Sequence, residues 1–232
     1  MELRFFGRGS GFSDEHTSAC FTTENQEMVI IDCPVSTYNK LKHMDLLNYE
    51  ELYIFITHTH GDHIGGLGLF IQYAYFVLGK SVNIVVPSSL VSDDISMLLR
   101  IEGCKHPWYK IIESNLLRNK DWVVNAIQTE HVAELQGKCY GYRFYINDKN
   151  IIYTGDTSTL EPYLPYLTDN SILYVDTSVY YGKVHLKLKD ILDEFISLTQ
   201  RGIKVYLMHL DDILSAEEIV QNIPGVEVVT VD

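Results

Sequence analysis

Short apolar runs recur along the chain, and longer stretches with helical spacing separate them. The runs are rich in Val, Ile, Leu and Tyr and end at Asp, His, Gly or Pro, which is typical of buried strands. The clearest are Met28–Pro34, Leu52–Ile56, Val82–Val86, Ile151–Tyr153, Ile172–Ser178 and Lys204–Met208. Apolar residues at helical spacing predict helices over 36–48, 64–79, 90–102 and 186–201. Strands that alternate with helices indicate an α/β fold.

Turn and capping residues place several smaller elements. Residues 2–6 and 18–23 read as early strands around a glycine-rich turn, and Trp122–Ile127 as a later one. Asn147–Asn150 is a turn sequence between two β-rich runs and predicts a hairpin. Ser215–Glu218 has the spacing of a capping box and predicts the start of a short helix.

Several predicted strands end in a side chain that can bind a metal. Imidazole nitrogen and carboxylate oxygen are ligands that zinc, manganese and iron accept. A sheet core that delivers such groups at several strand ends forms a site on rigid elements. The residues at these ends are Asp32, His58, His131, Asp156, Asp176 and His209.

The densest group of such residues is the segment Thr57–Gly66, directly after the apolar run 52–56. His58 and His60 are two positions apart, so both imidazoles project the same way from extended chain. Asp62 and His63 follow a glycine that lets the backbone turn. The alternative is a polar loop whose histidines cap a helix, but four ligand-type residues at this spacing favour a metal site.

Composition limits the partners. The 232 residues carry 31 acidic and 18 basic side chains, a net charge of −13, which disfavours chain-wide binding to nucleic acid or anionic membrane. The N-terminal residues show no apolar stretch of signal-peptide length, and the longest apolar stretch, Leu67–Leu78, is interrupted by Gln72 and too short to span a bilayer. The four cysteines lack Cys-x-x-Cys spacing, so reduced thiols in a cytoplasmic protein are expected. The length fits a single domain over residues 1–232 or two fused half-domains, and because strands of both halves end in ligand-type residues, the site is expected between two similar α/β halves.

The spacing His58-x-His60-x-Asp62-His63 resembles the signature of the metallo-β-lactamase-fold hydrolases. The resemblance implies a four-layer αβ/βα sandwich with a dinuclear metal site at one edge. It also implies three further ligands downstream, a histidine, a bridging aspartate and a final histidine. By position these are His131, Asp156 and His209.

This resemblance leads to a hypothesis for the metal site. One ion would be held by His58, His60 and His131, and the other by Asp62, His63 and His209, with Asp156 as the bridge. Two divalent cations are expected, zinc first, with manganese or iron as alternatives. A metal-bridging hydroxide would be the nucleophile, since paired ions lower the pKa of water and clamp the reacting oxygens.

Further roles are proposed for residues beside the ligands. Asp62 could also accept a hydrogen bond from the nucleophile, and Asp32 could orient a ligand histidine or bond nearby backbone instead. His185 resembles a histidine that contacts the scissile group in the branch related to ribonuclease Z and phosphodiesterases. The alternative is a histidine at the head of a solvated helix. The irregular stretch Cys104–Tyr109 could line the site or plug the sandwich edge.

The expected activity is hydrolysis of a small phosphodiester. The segment from His131 to Asp156 is too short for the long arm with which the tRNA-processing enzymes grip their substrate. A small anionic substrate such as a cyclic nucleotide is therefore favoured over folded tRNA. A lactonase or thioesterase of the same fold, or a metal-binding sensor without turnover, remains an alternative, and a homodimer is left open.

Overall fold

The computed structural model describes residues 2–117 and 120–231. Within them, the first half of the chain forms a six-stranded sheet in sequence order. The first two pairings are antiparallel and the remaining three are parallel. Its strands are β1 Arg4–Gly7, β2 Ser18–Thr22, β3 Glu27–Ile31, β4 Glu51–Phe55, β5 Val82–Val86 and β6 Tyr109–Glu113.

The second half of the described chain repeats this plan. Its six strands also lie in sequence order, with two antiparallel pairings followed by three parallel ones. They are β7 Val123–Gln128, β8 Tyr140–Ile146, β9 Lys149–Tyr153, β10 Ile172–Asp176, β11 Lys204–Met208 and β12 Val226–Val228. The two halves are therefore similar in topology. Each half also contributes ligand-type residues at the ends of its strands.

Helices cover the outer face of each sheet. They are α1 Val35–Leu41, α2 Gly61–Ile64, α3 Leu67–Phe76, α4 Ser89–Ile101, α5 Leu188–Gln200 and α6 Ile213–Val220. One apolar core lies between the first sheet and its helices, one between the two sheets, and one between the second sheet and its helices. These three cores separate four layers, which confirms the predicted αβ/βα sandwich of the metallo-β-lactamase fold.

Aromatic rings fill the core between the sheets. Phe55 of β4 meets Tyr142 and Phe144 of β8 edge to face, with ring centroids 5.0 and 5.3 Å apart. Such edge-to-face pairs contribute beyond the area that they bury. The buried Tyr142 hydroxyl donates to the carbonyl of Ile56, 2.7 Å away. This bond ties the second sheet to the residues that lead into the histidine-rich turn.

Two predicted helices are shorter than their apolar spacing indicated. The helix predicted over 36–48 ends at Leu41, and turns occupy the residues that follow. The helix predicted over 64–79 is α3, which spans only Leu67–Phe76, because Gly65–Gly66 separate it from the short helix α2 that ends at Ile64. The Gly66 N–H leaves the helical pattern and donates to the carbonyl of Cys33, 2.9 Å away. Tertiary packing against β3 therefore decides this boundary.

Other boundaries also differ from the sequence prediction. Strand β6, Tyr109–Glu113, was not predicted. Polar residues interrupt and end its short apolar run, and only Tyr109 is buried. The hairpin turn is Asn147–Asp148 alone, with φ of 51° and 59°, so residues 149–150 belong to β9. Positive φ at both residues is typical of a two-residue type I′ turn, whose backbone twist matches the twist of the two strands that it joins.

The last two helices begin elsewhere than predicted. Helix α5 starts at Leu188, so His185 lies in the loop before it and not at its head. Helix α6 starts at Ile213, and its cap is Asp212, whose carboxylate accepts the Ser215 N–H at 3.0 Å. The predicted capping box therefore lies inside the first turn. No helix in the described ranges is long and apolar enough to cross a membrane.

Candidate metal centre

The parallel strands of both sheets deliver their carboxyl ends to one edge of the sandwich. Asp32 and His58 follow β3 and β4 of the first sheet. Asp156 and His209 follow β9 and β11 of the second sheet, and Asp176 ends β10 between them. Neighbouring parallel strands end on the same side, so residues far apart in the sequence meet here.

The turn after β4 presents four of the predicted ligands together. His58 ends the extended segment, and His60 is the residue before α2. Asp62 and His63 lie on α2, whose N–H groups at 63 and 64 bond the His60 carbonyl at 3.0 and 3.1 Å. The carbonyl of His63 accepts the Cys33 N–H at 2.7 Å, which fixes the turn against β3.

The first donor group comprises His58, His60, His131 and Asp156. The Nε2 atoms of His58 and His131 lie 3.7 and 3.6 Å from Asp156 Oδ2. His58 Nε2 and His60 Nδ1 are 2.9 Å apart. The side chains of His58, His131 and Asp156 are buried, while His60 is half-buried.

The second donor group comprises Asp62, His63, Asp156 and His209. His63 Nε2 lies 3.5 Å from Asp62 Oδ2 and 3.3 Å from Asp156 Oδ1. His209 Nε2 lies 3.4 Å from Asp62 Oδ2 and 3.4 Å from Asp156 Oδ2. Asp156 therefore belongs to both groups and sits between them, in the place of a bridging ligand.

These spacings suit a metal better than hydrogen bonds. Zinc bonds of about 2.0–2.2 Å in a tetrahedral arrangement place the ligand atoms roughly 3.3–3.6 Å apart. His63 Nε2 and Asp156 Oδ1 are buried and have no hydrogen-bond partner among the described residues. Buried polar atoms are normally paired, so such atoms aimed at each other fit a shared cation. The donor set present fits two divalent ions.

Asp32 supports the second group. Its carboxylate accepts the Thr57 N–H at 2.8 Å and the Thr57 hydroxyl at 2.7 Å, and its Oδ2 lies 2.7 Å from His63 Nδ1. The contact to Nδ1 turns His63 Nε2 toward the site. Asp32 has a φ of 59°, a left-handed conformation that aspartate tolerates better than most residues. The structure thus places Asp32 beside a predicted ligand histidine.

Asp176 links two histidines on the other side of the site. Its Oδ2 lies 2.7 Å from His185 Nδ1 and accepts the Thr157 N–H at 2.9 Å. Its Oδ1 lies 3.3 Å from His209 Nδ1. The sequence placed Asp176 among the strand-end side chains that can bind a metal but left its specific role open. The structure shows which rings it faces.

Burial and neighbouring charges shift the site's acids and bases. Burial lowers the pKa of His58 well below its usual value, and the charge of His63 lowers it further. Burial also lowers the pKa of His63 and His209, but the neighbouring carboxylates together outweigh it and raise both pKa values: Asp156 and Asp32 at His63, and Asp156, Asp176 and Asp62 at His209. The pKa of Asp156 lies far below normal, because the surrounding histidines outweigh its burial. The metal-free site is thus a cluster of paired opposite charges.

A cavity of about 260 Å³ opens onto both donor groups. Hollows of about 480 and 430 Å³ lie elsewhere on the surface, but neither has a histidine in its lining. The smaller cavity is the candidate site because its wall carries the ligand-type residues. Residues 104–109 are not in its lining, and Trp108 packs on Tyr75 and Phe76 instead. That stretch therefore covers the outer helical layer.

The loop between β1 and β2 also reaches this cavity, and sequence reasoning treated its glycines as turn residues only. Ser10, Gly11 and Phe12 are in the lining. A Cβ at Gly11 would lie 2.8 Å from Asp62 Oδ2, so the backbone passes directly beside a predicted ligand. A glycine at a close backbone approach was the available signal.

Comparison with known sequences identifies related proteins. A family model described as "Anti-Pycsar protein Apyc1" matches residues 1–225. A protein of that name from Bacillus phage 010DV004 is 28% identical over 235 residues, covering 91% of this chain and 90% of its own. The Ribonuclease Z of Oceanobacillus iheyensis is 28% identical over 160 residues, covering 64% of this chain and 51% of its own.

Solved structures share the fold. The metallo-beta-lactamase fold protein YhfI from Bacillus subtilis superposes with a TM-score of 0.73 at 16% identity, covering 98% of this chain and 95% of its own. The short form of human tRNase Z gives a TM-score of 0.71 at 18% identity, covering 100% and 97%. At these identities the likeness supports the fold, which agrees with the resemblance read from the histidine spacing.

Proposed function

The chain belongs to the anti-Pycsar protein Apyc1 family and has the metallo-β-lactamase fold, and on this premise we propose that it hydrolyses small phosphodiesters with two bound divalent metal ions. The observation that carries the proposal is the pair of four-residue donor groups that share Asp156 at the floor of one cavity. Zinc is the first candidate, since nitrogen and carboxylate donors at tetrahedral spacing suit it.

The bound ions would supply an activated water and polarise the phosphoryl oxygens. Side chains beside the ions would donate protons and hydrogen bonds to the reacting oxygens. Burial lowers the pKa of His185, but the carboxylate of Asp176 outweighs it and raises this pKa above its usual value. Asp176 contacts Nδ1, which leaves Nε2 of a protonated ring to donate to the leaving oxygen. Asp62, which lines the cavity, can accept a hydrogen bond from the attacking water.

Size and charge favour a small anionic substrate. The cavity volume of about 260 Å³ lies just below the roughly 300–1,000 Å³ of sites for drug-sized ligands. Two dications beside the carboxylates of Asp62 and Asp156 leave a local positive centre, although the chain as a whole carries a net charge of −13. A relative named Ribonuclease Z supports phosphodiester chemistry, and the cavity favours a single small diester such as a cyclic nucleotide.

A substrate panel tests this function. The zinc- and manganese-loaded protein is assayed with bis(p-nitrophenyl) phosphate, a lactone, a thioester and a β-lactam. We expect turnover of the phosphodiester and its loss, by at least about a hundredfold, in Asp156→Ala. Asp169→Ala removes an exposed surface carboxylate that pairs with Arg201 and is the matched control with unchanged turnover.

Two outcomes would contradict the proposal. Turnover of the lactone or thioester without the phosphodiester would assign the other hydrolase class of this fold. Tight metal binding with no turnover of any substrate would instead indicate a sensor.

A further inference from the structure

The loop between β1 and β2, residues 8–17, is anchored to the strand that delivers His209. The Ser10 N–H donates to the Leu210 carbonyl at 3.0 Å, and the Leu210 N–H donates to the Arg8 carbonyl at 2.9 Å. The Thr17 hydroxyl donates to the Gly9 carbonyl and accepts the N–H of His209, both at 3.0 Å. The loop is thus held in place on the second donor group.

The tip of this loop carries a phenylalanine into solvent. Phe12 lines the cavity that holds the metal ligands, yet its side chain is 104% exposed relative to an extended chain. Most phenylalanines of this protein are buried in its cores. An exposed phenyl ring forgoes the gain from burial, and the hydrogen bonds of Ser10 and Thr17 hold the loop that carries this ring beside the cavity. A ring held at the mouth of a cavity can be covered by whatever enters that cavity.

An apolar wall faces the same cavity from the second half of the chain. Tyr181, Val184 and Val132 belong to the lining, and Tyr181 is 67% exposed. The Tyr181 N–H donates to Ser178 Oγ at 2.7 Å, and the carbonyl of Val184 lies 2.7 Å from His131 Nδ1. This wall is therefore tied to a residue of the first donor group.

We propose that Phe12, together with Tyr181, binds a flat heterocyclic group carried by the alcohol that is esterified to the substrate phosphate, which makes Phe12 a specificity-determining residue. The inference rests on the proposed function, since it needs the phosphate to sit at the metal ligands. The cavity then has a charged floor for the phosphoryl group and aromatic rings at its mouth for the organic group. Stacking of a base on an aromatic side chain strengthens binding by about 5- to 150-fold.

A binding comparison tests Phe12 without requiring turnover. Calorimetry on the zinc-loaded protein measures the dissociation constants of adenosine 5′-monophosphate and ribose 5-phosphate, which differ only in the base. We expect the nucleotide to bind roughly tenfold tighter, and Phe12→Ala to bring the ratio close to one without weakening ribose 5-phosphate. Phe12→Trp should keep the ratio. Equal binding of both ligands to the parent protein, or an unchanged ratio in Phe12→Ala, would overturn the proposal.

A kinetic comparison separates this inference from the proposed function. The substrates are adenosine 3′,5′-cyclic phosphate and ribose 3′,5′-cyclic phosphate, which present the same reacting atoms. Phe12→Ala should raise KM for the first by roughly tenfold with little change in kcat, and leave the second unchanged. Phe76→Ala removes an exposed phenylalanine of α3, outside the cavity lining, and is the matched control. If the parent protein cleaves neither diester, the proposed function fails, and the binding ratio still decides the role of Phe12.

Discussion

At the scale of single residues, the site depends on side chains that hold the proposed ligands as much as on the ligands. Asp32 is fully buried and uses its carboxylate on Thr57 and on His63. Asp176 likewise contacts the ring of His185 through its carboxylate. Replacing a carboxylate that orients a ligand histidine commonly lowers metal affinity by about 10- to 100-fold.

The substitution Asp32→Asn tests this orienting role. The amide keeps the volume but cannot accept from both Thr57 and His63 as the carboxylate does. We expect zinc affinity, measured by competition with a chelator, to fall by roughly 10- to 100-fold. Asp45→Asn, in the exposed turn after α1, should leave the affinity unchanged. Parent-like affinity in Asp32→Asn would mean that packing alone orients His63.

Gly11 offers a second test at the residue scale. A methyl group there would lie 2.8 Å from Asp62 Oδ2, so Gly11→Ala should push this carboxylate off its position. We expect phosphodiesterase activity to fall by roughly ten- to a hundredfold, since small misplacements at a reacting centre are costly. Gly61→Ala, next to Asp62, is the control, because its Cβ would meet nothing within 4 Å. Thermal melting should distinguish displacement of the carboxylate from unfolding, with little change in either variant.

At the scale of elements, packing rather than helical propensity separates α2 from α3. The chain bends at Gly65–Gly66 because the Gly66 backbone lies against the turn after β3. Without this break, α2 would continue into α3, and Asp62 and His63 would not be positioned independently of the long helix. The apolar spacing over 64–79 gives no sign of it, although the two glycines do.

The substitution Gly66→Ala tests this close approach. Its Cβ would lie 2.5 Å from the Pro34 carbonyl oxygen, a backbone atom that cannot rotate away. We expect a loss of about 1–3 kcal/mol in the free energy of unfolding, as for other overpacked sites. Urea denaturation measures it, and Gly61→Ala serves again as the tolerated alanine in α2. A stability equal to that of the parent would show that the turn after β3 yields easily.

At the scale of the whole molecule, the two sheets bring their carboxyl edges together and gather opposite charges into one buried cluster. Histidines must be neutral to bind a metal through the remaining nitrogen. Burial lowers the pKa of His209, but Asp156 and its other acidic neighbours raise it to about 10. His209 is therefore protonated at neutral pH in the metal-free protein, and a cation replaces that proton.

Metal binding should accordingly release protons. Because His63 and His209 both have raised pKa values, zinc binding near neutral pH should release roughly two protons per molecule. Higher pH removes the competing protons, and each proton released raises zinc affinity about tenfold per pH unit, so release of two protons should raise it by about 10⁴-fold from about pH 6 to about pH 8. Calorimetry in buffers of different ionisation enthalpy measures the release. An affinity that does not change with pH would contradict the raised pKa of His209.

The sequence by itself determined the elements and the chemistry of the candidate site. Apolar runs that end in Asp or His predicted most strands, because local hydrophobic spacing records which side chains are buried. The spacing from His58 to His63 indicated a metal site and the fold, since these ligands are neighbours along the chain. The ligand roles themselves stay a prediction that metal analysis must test.

The family resemblance led us to expect that distant residues join the histidine-rich turn, but only the tertiary structure brings them together. That His131, Asp156 and His209 converge on the turn at 58–63, and that Asp176 contacts His185, depends on how the strands of two sheets align. The same holds for the break at Gly66 and for Phe12 at the cavity mouth. These features depend on burial and on hydrogen-bond partners that come from distant parts of the chain. A local pattern of hydrophobic residues does not encode such contacts.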